Sequence, residues 1–236
     1  EVYKRQKHTH LQATLGGRTP HDAGWDFAGS AVRDDFRDLY HGKLMDVTFP
    51  DSQGTHVFDV HLTKDTNDVH VVLQHLSGDP VDENKFLFTI EEENGLMDWD
   101  NTILPDEPLR YYAHTVTNGY AGVDVPDYKG DGEGGDSRAI TAVSCAVADF
   151  QISRITPEKR CFVRIYRRDD HGLVAAIPIA DYAIMTKGAH KKLSDADYLD
   201  YRDEYSLVLF LDDNGYWLKT QIYINSWHLV LQNVDA

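Results

Sequence analysis

Residues 198–233, YLDYRDEYSLVLFLDDNGYWLKTQIYINSWHLVLQN, hold the reading that decides the fold. Residues 205–211 are a nearly continuous apolar run, Asp212-Asp213-Asn214-Gly215 is a strong turn signal, and a second β-rich run answers it. An apolar run closed by Asn-Gly and followed by another such run predicts a β-hairpin, because Asn and Gly tolerate the left-handed backbone of a tight hairpin turn. The first arm is apolar at both parities, as expected of a strand covered on both faces. In the second arm Leu218, Ile222 and Ile224 share one face, whereas Trp227, Leu229 and Leu231 have the opposite parity. A strict period of two therefore fails across Asn225-Ser226. A bulge there, or a break into two strands, restores an apolar inner face on both sides. The last strand is expected to be buried.

Working back along the chain, Phe58, Val60 and Leu62 alternate with Asp59, His61 and Thr63, which predicts a strand with one buried and one wet face. Val69, Val71 and Leu73 resume an inner face, and Phe86, Phe88 and Ile90 supply another strand. Further strands are expected around residues 109–116, 140–155 and 161–166. Residues 177–185 read as a strand or a short helical turn. Ser194 is placed as the N-cap of a short helix with Asp195 and Asp197 in its first turn, where the helix dipole favours acids. Residues 1–46 hold too little apolar material for an independent domain. They read as the tail of a domain whose first strands are absent, or as a segment packed on its neighbour. Eight to ten short strands with turns between them and hardly any helix predict an all-β sandwich.

Composition narrows the function. The 236 residues carry 39 Asp and Glu against 23 Lys and Arg, a formal net charge of −16 that phosphate backbones repel, so nucleic acid is excluded as a partner. No run of about 18 apolar residues exists to span a membrane as a helix. Cys145 and Cys161 are too few for a structural zinc site and read as buried thiols; one disulfide stays open, since an exported protein would permit it. The cluster DYKGDGEGGD, starting at Asp127, fails as a calcium loop: its third position is Lys129 and its twelfth Arg138, cations where the ion needs oxygen. It reads as a solvated loop. His61, His70 and His75 fall on or near outward positions, no HExxH or GxSxG occurs, and Asp203-Glu204 would point to opposite faces of a strand. No catalytic, cofactor or metal residues are therefore expected. Trp25 and Trp99 sit in loops where they could meet a sugar, while Trp217 and Trp227 are placed in the core.

The stretch LTKDTNDVHVVLQHLSGDPVD (residues 62–82), then FTIEEENGLMDWDNTILPDE (88–107), resembles the anchor-subunit family of Bacteroidales type V fimbriae, the FimB-like lipoproteins. IPIADYAIM (177–185), YLDYRDEYSLVLFLD (198–212) and IYINSWHLVLQN (222–233) continue the resemblance. One departure is that Tyr201 stands where the family pattern has Arg, with Arg202 following. The resemblance implies tandem transthyretin-like β-sandwiches: residues 1–50 would be the end of an N-terminal domain and residues 51–236 a complete C-terminal one. It implies a non-catalytic anchor or accessory subunit on the cell surface, without cofactor, that binds fimbrillin by β-strand pairing. Outer-membrane attachment would then run through a lipid anchor upstream of Glu1. Strand pairing at the C-terminal end would use Ile222, Ile224, Trp227, Leu229 and Leu231. The alternative is a glycan-binding adhesin of the fimbrial tip that uses loop aromatics.

Overall fold

The alternation of apolar and polar side chains becomes two sheets in the computed structural model, which describes residues 11–12, 19–20, 25, 27–33, 35, 37–49, 53–75, 77–122, 142–190, 192–212 and 217–223. In chain order the strands are β1 (Leu11–Gln12), β2 (Thr19–Pro20), β3 (Ser30–Val32), β4 (Tyr40–His41), β5 (Thr63–Lys64), β6 (Thr66–His75), β7 (Phe86–Glu92) and β8 (Leu96–Met97). There follow β9 (Leu109–Tyr112), β10 (Thr115–Gly122), β11 (Ala142–Ser153), β12 (Phe162–Arg167), β13 (Leu173–Pro178), β14 (Glu204–Leu211) and β15 (Trp217–Tyr223). Helix α1 (Ile179–Met185) comes directly after β13, and α2 (Asp195–Asp200) before β14.

One sheet has the order β10-β11-β6-β14-β15 and the other β13-β12-β7-β9-β3-β2. Neighbours are antiparallel except for the β6–β14 and β3–β9 pairs, which are parallel. Val69, Val71 and Leu73 of β6, Ala148, Phe150 and Ile152 of β11, and Leu207 and Leu209 of β14 share one buried cluster with Phe88 and Ile90 of β7 and Val163 and Ile165 of β12. The two sheets thus pack face to face, an all-β sandwich. Ile179, Ala180, Ala183 and Leu199 bring the two helices into the same cluster. Ser194 caps α2 as expected: its hydroxyl accepts from the Asp197 amide at 3.0 Å.

The organising hairpin is present. β14 pairs with β15 antiparallel and with β6 parallel, which sets it second from the edge. Tyr205, Leu207, Leu209 and Leu211 enter the core, while Val208 joins Val72, Cys145 and Val147 in a small apolar cluster on the other face. That second cluster explains why the strand reads apolar at both parities. Cys161 lies in the main core and Cys145 in the small cluster, and the two form no disulfide with each other.

A buried amide ties the two sheets together. Asn94 donates from Nδ2 to the carbonyls of Ser153 and Arg154, each at 3.1 Å, and its Oδ1 accepts from the Tyr111 hydroxyl at 2.6 Å. Tyr111 belongs to the six-stranded sheet and Ser153 ends the longest strand of the five-stranded one.

Three expectations need correction. Residues 55–62 form no strand, and Phe58, Val60 and Leu62 are 41%, 45% and 63% exposed. Only β5 pairs in this region, with β4, so the alternation has no sheet to bury against among the described residues. The strand expected over residues 109–116 is two, β9 in one sheet and β10 in the other, because the chain crosses between sheets at Ala113-His114. Trp217, expected in the core, is 38% exposed.

The early segment joins the six-stranded sheet. β3 pairs with β9, the Arg110 guanidinium lies 4.2 Å over the Phe27 ring, and Trp25 stacks on His171 at 4.2 Å. Gly29 permits this approach: a Cβ there would fall 1.8 Å from the Pro108 carbonyl oxygen. Gly29→Ala is therefore expected to cost about 1–3 kcal/mol through overpacking against backbone that cannot give way. A urea titration checks it, and an unchanged midpoint would show that β3 docks differently.

Candidate functional site

Strand β15 is the first place to look for binding chemistry. It is the outermost strand of its sheet, and its far edge pairs with no strand among the described residues. Such an edge presents a row of backbone N–H and C=O groups able to template another strand. Its register against β14 runs from Tyr223 opposite Ser206 to Trp217 opposite Leu211, with an irregularity between Phe210 and Leu211. Of the residues expected to contact a partner strand, Ile222 lies in β15, opposite Leu207. Ile224, Trp227, Leu229 and Leu231 lie outside the described residues.

The second feature is a polar cleft of about 700 Å³. Its walls include Lys43, His61, Asp100, Lys159 and Asp197. Arg154 fixes one wall, donating Nε and Nη2 to the two Asp200 carboxylate oxygens at 2.7 Å each and Nη1 to the Asn101 carbonyl at 2.6 Å. Asn101 has φ 74°, a left-handed conformation that Asn accepts better than most residues, and its Nδ2 donates to Asp65 Oδ1 at 2.8 Å. Burial pushes the Asp65 carboxyl above its ordinary range, and the Asn101 hydrogen bond opposes that shift. The lining offers donors and acceptors of both charge signs, suited to polar ligands. It holds no aromatic platform: Trp99 is half-buried outside the lining, its carbonyl held by His41 Nε2 at 2.9 Å.

His70, Asp149 and His75 make hydrogen bonds between strands or at strand ends. His70 Nδ1 meets Asp149 Oδ1 at 2.7 Å, and Asp149 also accepts from the Thr115 hydroxyl at 2.8 Å. The carboxylate stands between the imidazole and the hydroxyl, so this is not a base-activated nucleophile, which needs the imidazole in the middle. His75 contacts the Asp212 carbonyl. Among the described residues no group of three or more His, Cys, Asp or Glu could hold a metal ion. The DYKGDGEGGD loop lies outside them. Sequence reasoning missed the cleft, because its walls come from five separated segments, and only the Asn101 turn left a local signal.

With this geometry in hand, comparison decides the family. The family of Fimbrillin-A associated anchor proteins Mfa1 and Mfa2 matches residues 23–233. The chain belongs to it. Among solved structures, a candidate adhesin from Bacteroides thetaiotaomicron is 28% identical, with a TM-score of 0.59 over 73% of this chain and 54% of that one. A candidate polysaccharide-binding protein from the same species is 24% identical, with a TM-score of 0.63 over 86% and 63%. The fimbrial anchor protein Mfa2 from Porphyromonas gingivalis is 15% identical, with a TM-score of 0.52 over 91% and 66%, a likeness of fold. The chain spans less than two thirds of each of these structures. No curated protein matches it. Membership of the Mfa1 and Mfa2 anchor family associates the chain with fimbriae.

Proposed function

We propose that this member of the anchor family is a non-catalytic fimbrial anchor or accessory subunit that binds fimbrillin at the cell surface by β-strand pairing. The supporting observation is β15, an outermost strand joined through β14 to the centre of its sheet, so that an added strand would load a rigid element. Main-chain hydrogen bonds to that edge would supply strength, and alternate side chains would supply specificity. On this reading Ile222, Ile224, Trp227, Leu229 and Leu231 are the partner-strand contacts, and the outer membrane is the site of action. Residues 51–236 then form the C-terminal, transthyretin-like sandwich, to whose sheet β2 and β3 add from residues 1–50.

The test is a pull-down of the tagged full-length gene product from cells, read by mass spectrometry with membrane fractionation alongside. Fimbrillin in the outer-membrane fraction is the expected result. A soluble protein without fimbrial partners, retained on a polysaccharide column, would overturn it.

The cleft favours a second reading, glycan binding, because its mixed donors and acceptors suit hydroxyl groups. Trp25 is not free to serve as a platform there, being stacked on His171 and tilted against Tyr166. On this reading a glycan array gives a hit that Lys43→Ala with Asp100→Ala lowers at least about tenfold, the loss of about 1.4 kcal/mol.

A further inference from the structure

The cations that line the polar cleft are already engaged by the protein itself. Three successive carbonyls of the turn at residues 99–101 each accept from a different basic side chain. The Trp99 carbonyl accepts from His41 Nε2 at 2.9 Å, that of Asp100 from Lys43 Nζ at 3.3 Å and that of Asn101 from Arg154 Nη1 at 2.6 Å. The rest of the Arg154 guanidinium is held by the two oxygens of Asp200, and Lys159 Nζ donates to Glu93 Oε2 at 2.9 Å. Hydrogen bonds from Thr102 hold the Asp100 carboxyl below its ordinary range, and the neighbouring Lys43 adds to this, so the Lys43 charge is balanced as well.

The carboxylates are not used up in the same way. Asp100 Oδ1 accepts from the Thr102 amide at 3.1 Å and Asp197 Oδ2 from the Ser194 hydroxyl at 2.7 Å, while Glu158 is exposed. A carboxylate has two oxygens and about four acceptor sites, so these three groups keep acceptors for a ligand. Formal charge in the lining is close to balance: Lys43, Arg154 and Lys159 stand against Asp100, Glu158, Asp197 and Asp200, a net of −1. The cleft is thus rich in hydrogen-bond acceptors and poor in unspent positive charge.

Such a lining asks for a ligand that donates hydrogen bonds and carries no negative charge. A carboxylate, sulfate or phosphate would find each cation already balanced and would approach against the chain's net −16. An ammonium group would gain little from a net of −1 with three protein cations beside it. Vicinal hydroxyls fit, because two adjacent O–H groups donate to the two oxygens of one carboxylate in charge-assisted bonds. The cleft's volume of about 700 Å³ suits a small-molecule ligand. We infer that the cleft selects neutral glycans over acidic ones, with Asp100, Glu158 and Asp197 accepting from sugar hydroxyls. This rests on the glycan reading of the cleft and gives that reading a ligand class.

The test is an array that carries neutral oligosaccharides beside their uronic-acid, sulfated and amino-sugar counterparts, probed with the full chain. Hits confined to the neutral glycans are the expected result. For the strongest hit, calorimetry should give an affinity that changes less than about twofold between about 0.05 and 0.5 M salt, because a neutral ligand has no charge to screen. Asp100→Asn with Glu158→Gln should lower that affinity at least about tenfold as the charge-assisted bonds are lost. The melting temperature of this double variant should stay within about 2 °C, because each amide keeps an acceptor oxygen. Preferred binding of the acidic or amino-sugar forms, or an affinity that the double variant leaves unchanged, would overturn the neutral selection and leave glycan binding standing. If no glycan on the array binds, the glycan reading fails and this inference with it.

Discussion

Glu92→Gln is expected to remove most of the loss of stability that the wild type shows as pH rises from about 5 to 8. Glu92 ends β7 on the parity of Phe88 and Ile90, so its side chain enters the core, where it is 4% exposed. Neither carboxylate oxygen has a hydrogen-bond partner among the described residues. Burial pushes its pKa from 4.5 to about 8, and Cys161 and Lys159 oppose the shift without cancelling it. The unfolded chain therefore releases this proton near pH 4.5 and the folded chain only near pH 8. Between those values the folded state holds more protons, so stability falls as pH rises, by about 1.4 kcal/mol per unit for this one group. Summed over the window the effect approaches about 5 kcal/mol, a large fraction of a typical domain's stability. Urea titrations at several pH values compare the two proteins. Equal slopes between pH 5 and 8 would mean that Glu92 is ionised and satisfied in the folded protein.

Asn94→Ala is the second large effect. The substitution strips the Tyr111 hydroxyl and the Ser153 and Arg154 carbonyls of their shared partner, and Tyr111 is 1% exposed. Each of these hydrogen bonds is worth about 0.5–1.5 kcal/mol, so a loss of about 2–4 kcal/mol is expected. Because the amide joins one sheet to the other, both should loosen together. Far-UV circular dichroism and tryptophan fluorescence followed during denaturation should show coincident, lowered transitions. A loss below about 1 kcal/mol would mean that the sheets are held by apolar packing alone.

The sandwich was legible in the sequence wherever a strand's alternation met a sheet. Tyr205, Leu207, Leu209 and Leu211 were readable because one parity enters the core, and Ser194 because a cap is a local device. Residues 55–62 show the limit of that reading. Their alternation is as clear as that of β6, yet no strand pairs with them among the described residues, since periodicity reports only what a segment can pair with. The crossing at Ala113-His114 was hidden for a related reason, since both flanking segments are strand-like and only the sheet assignment distinguishes them. Asn94 and Glu92 gave no sequence signal at all. A buried amide and a buried carboxyl look like surface residues until the surrounding strands are placed. The cleft was illegible because His61, Asp100, Arg154 and Asp197 come together only through tertiary contacts.

Hydrogen exchange on the full chain, alone and mixed with fimbrillin, tests the strand-pairing proposal most directly. The amides of residues 218–223 that face away from β14 should gain protection in the complex as another strand pairs with them. If the complex stays intact and those amides exchange as fast as in the free chain, fimbrillin does not bind by pairing with this edge.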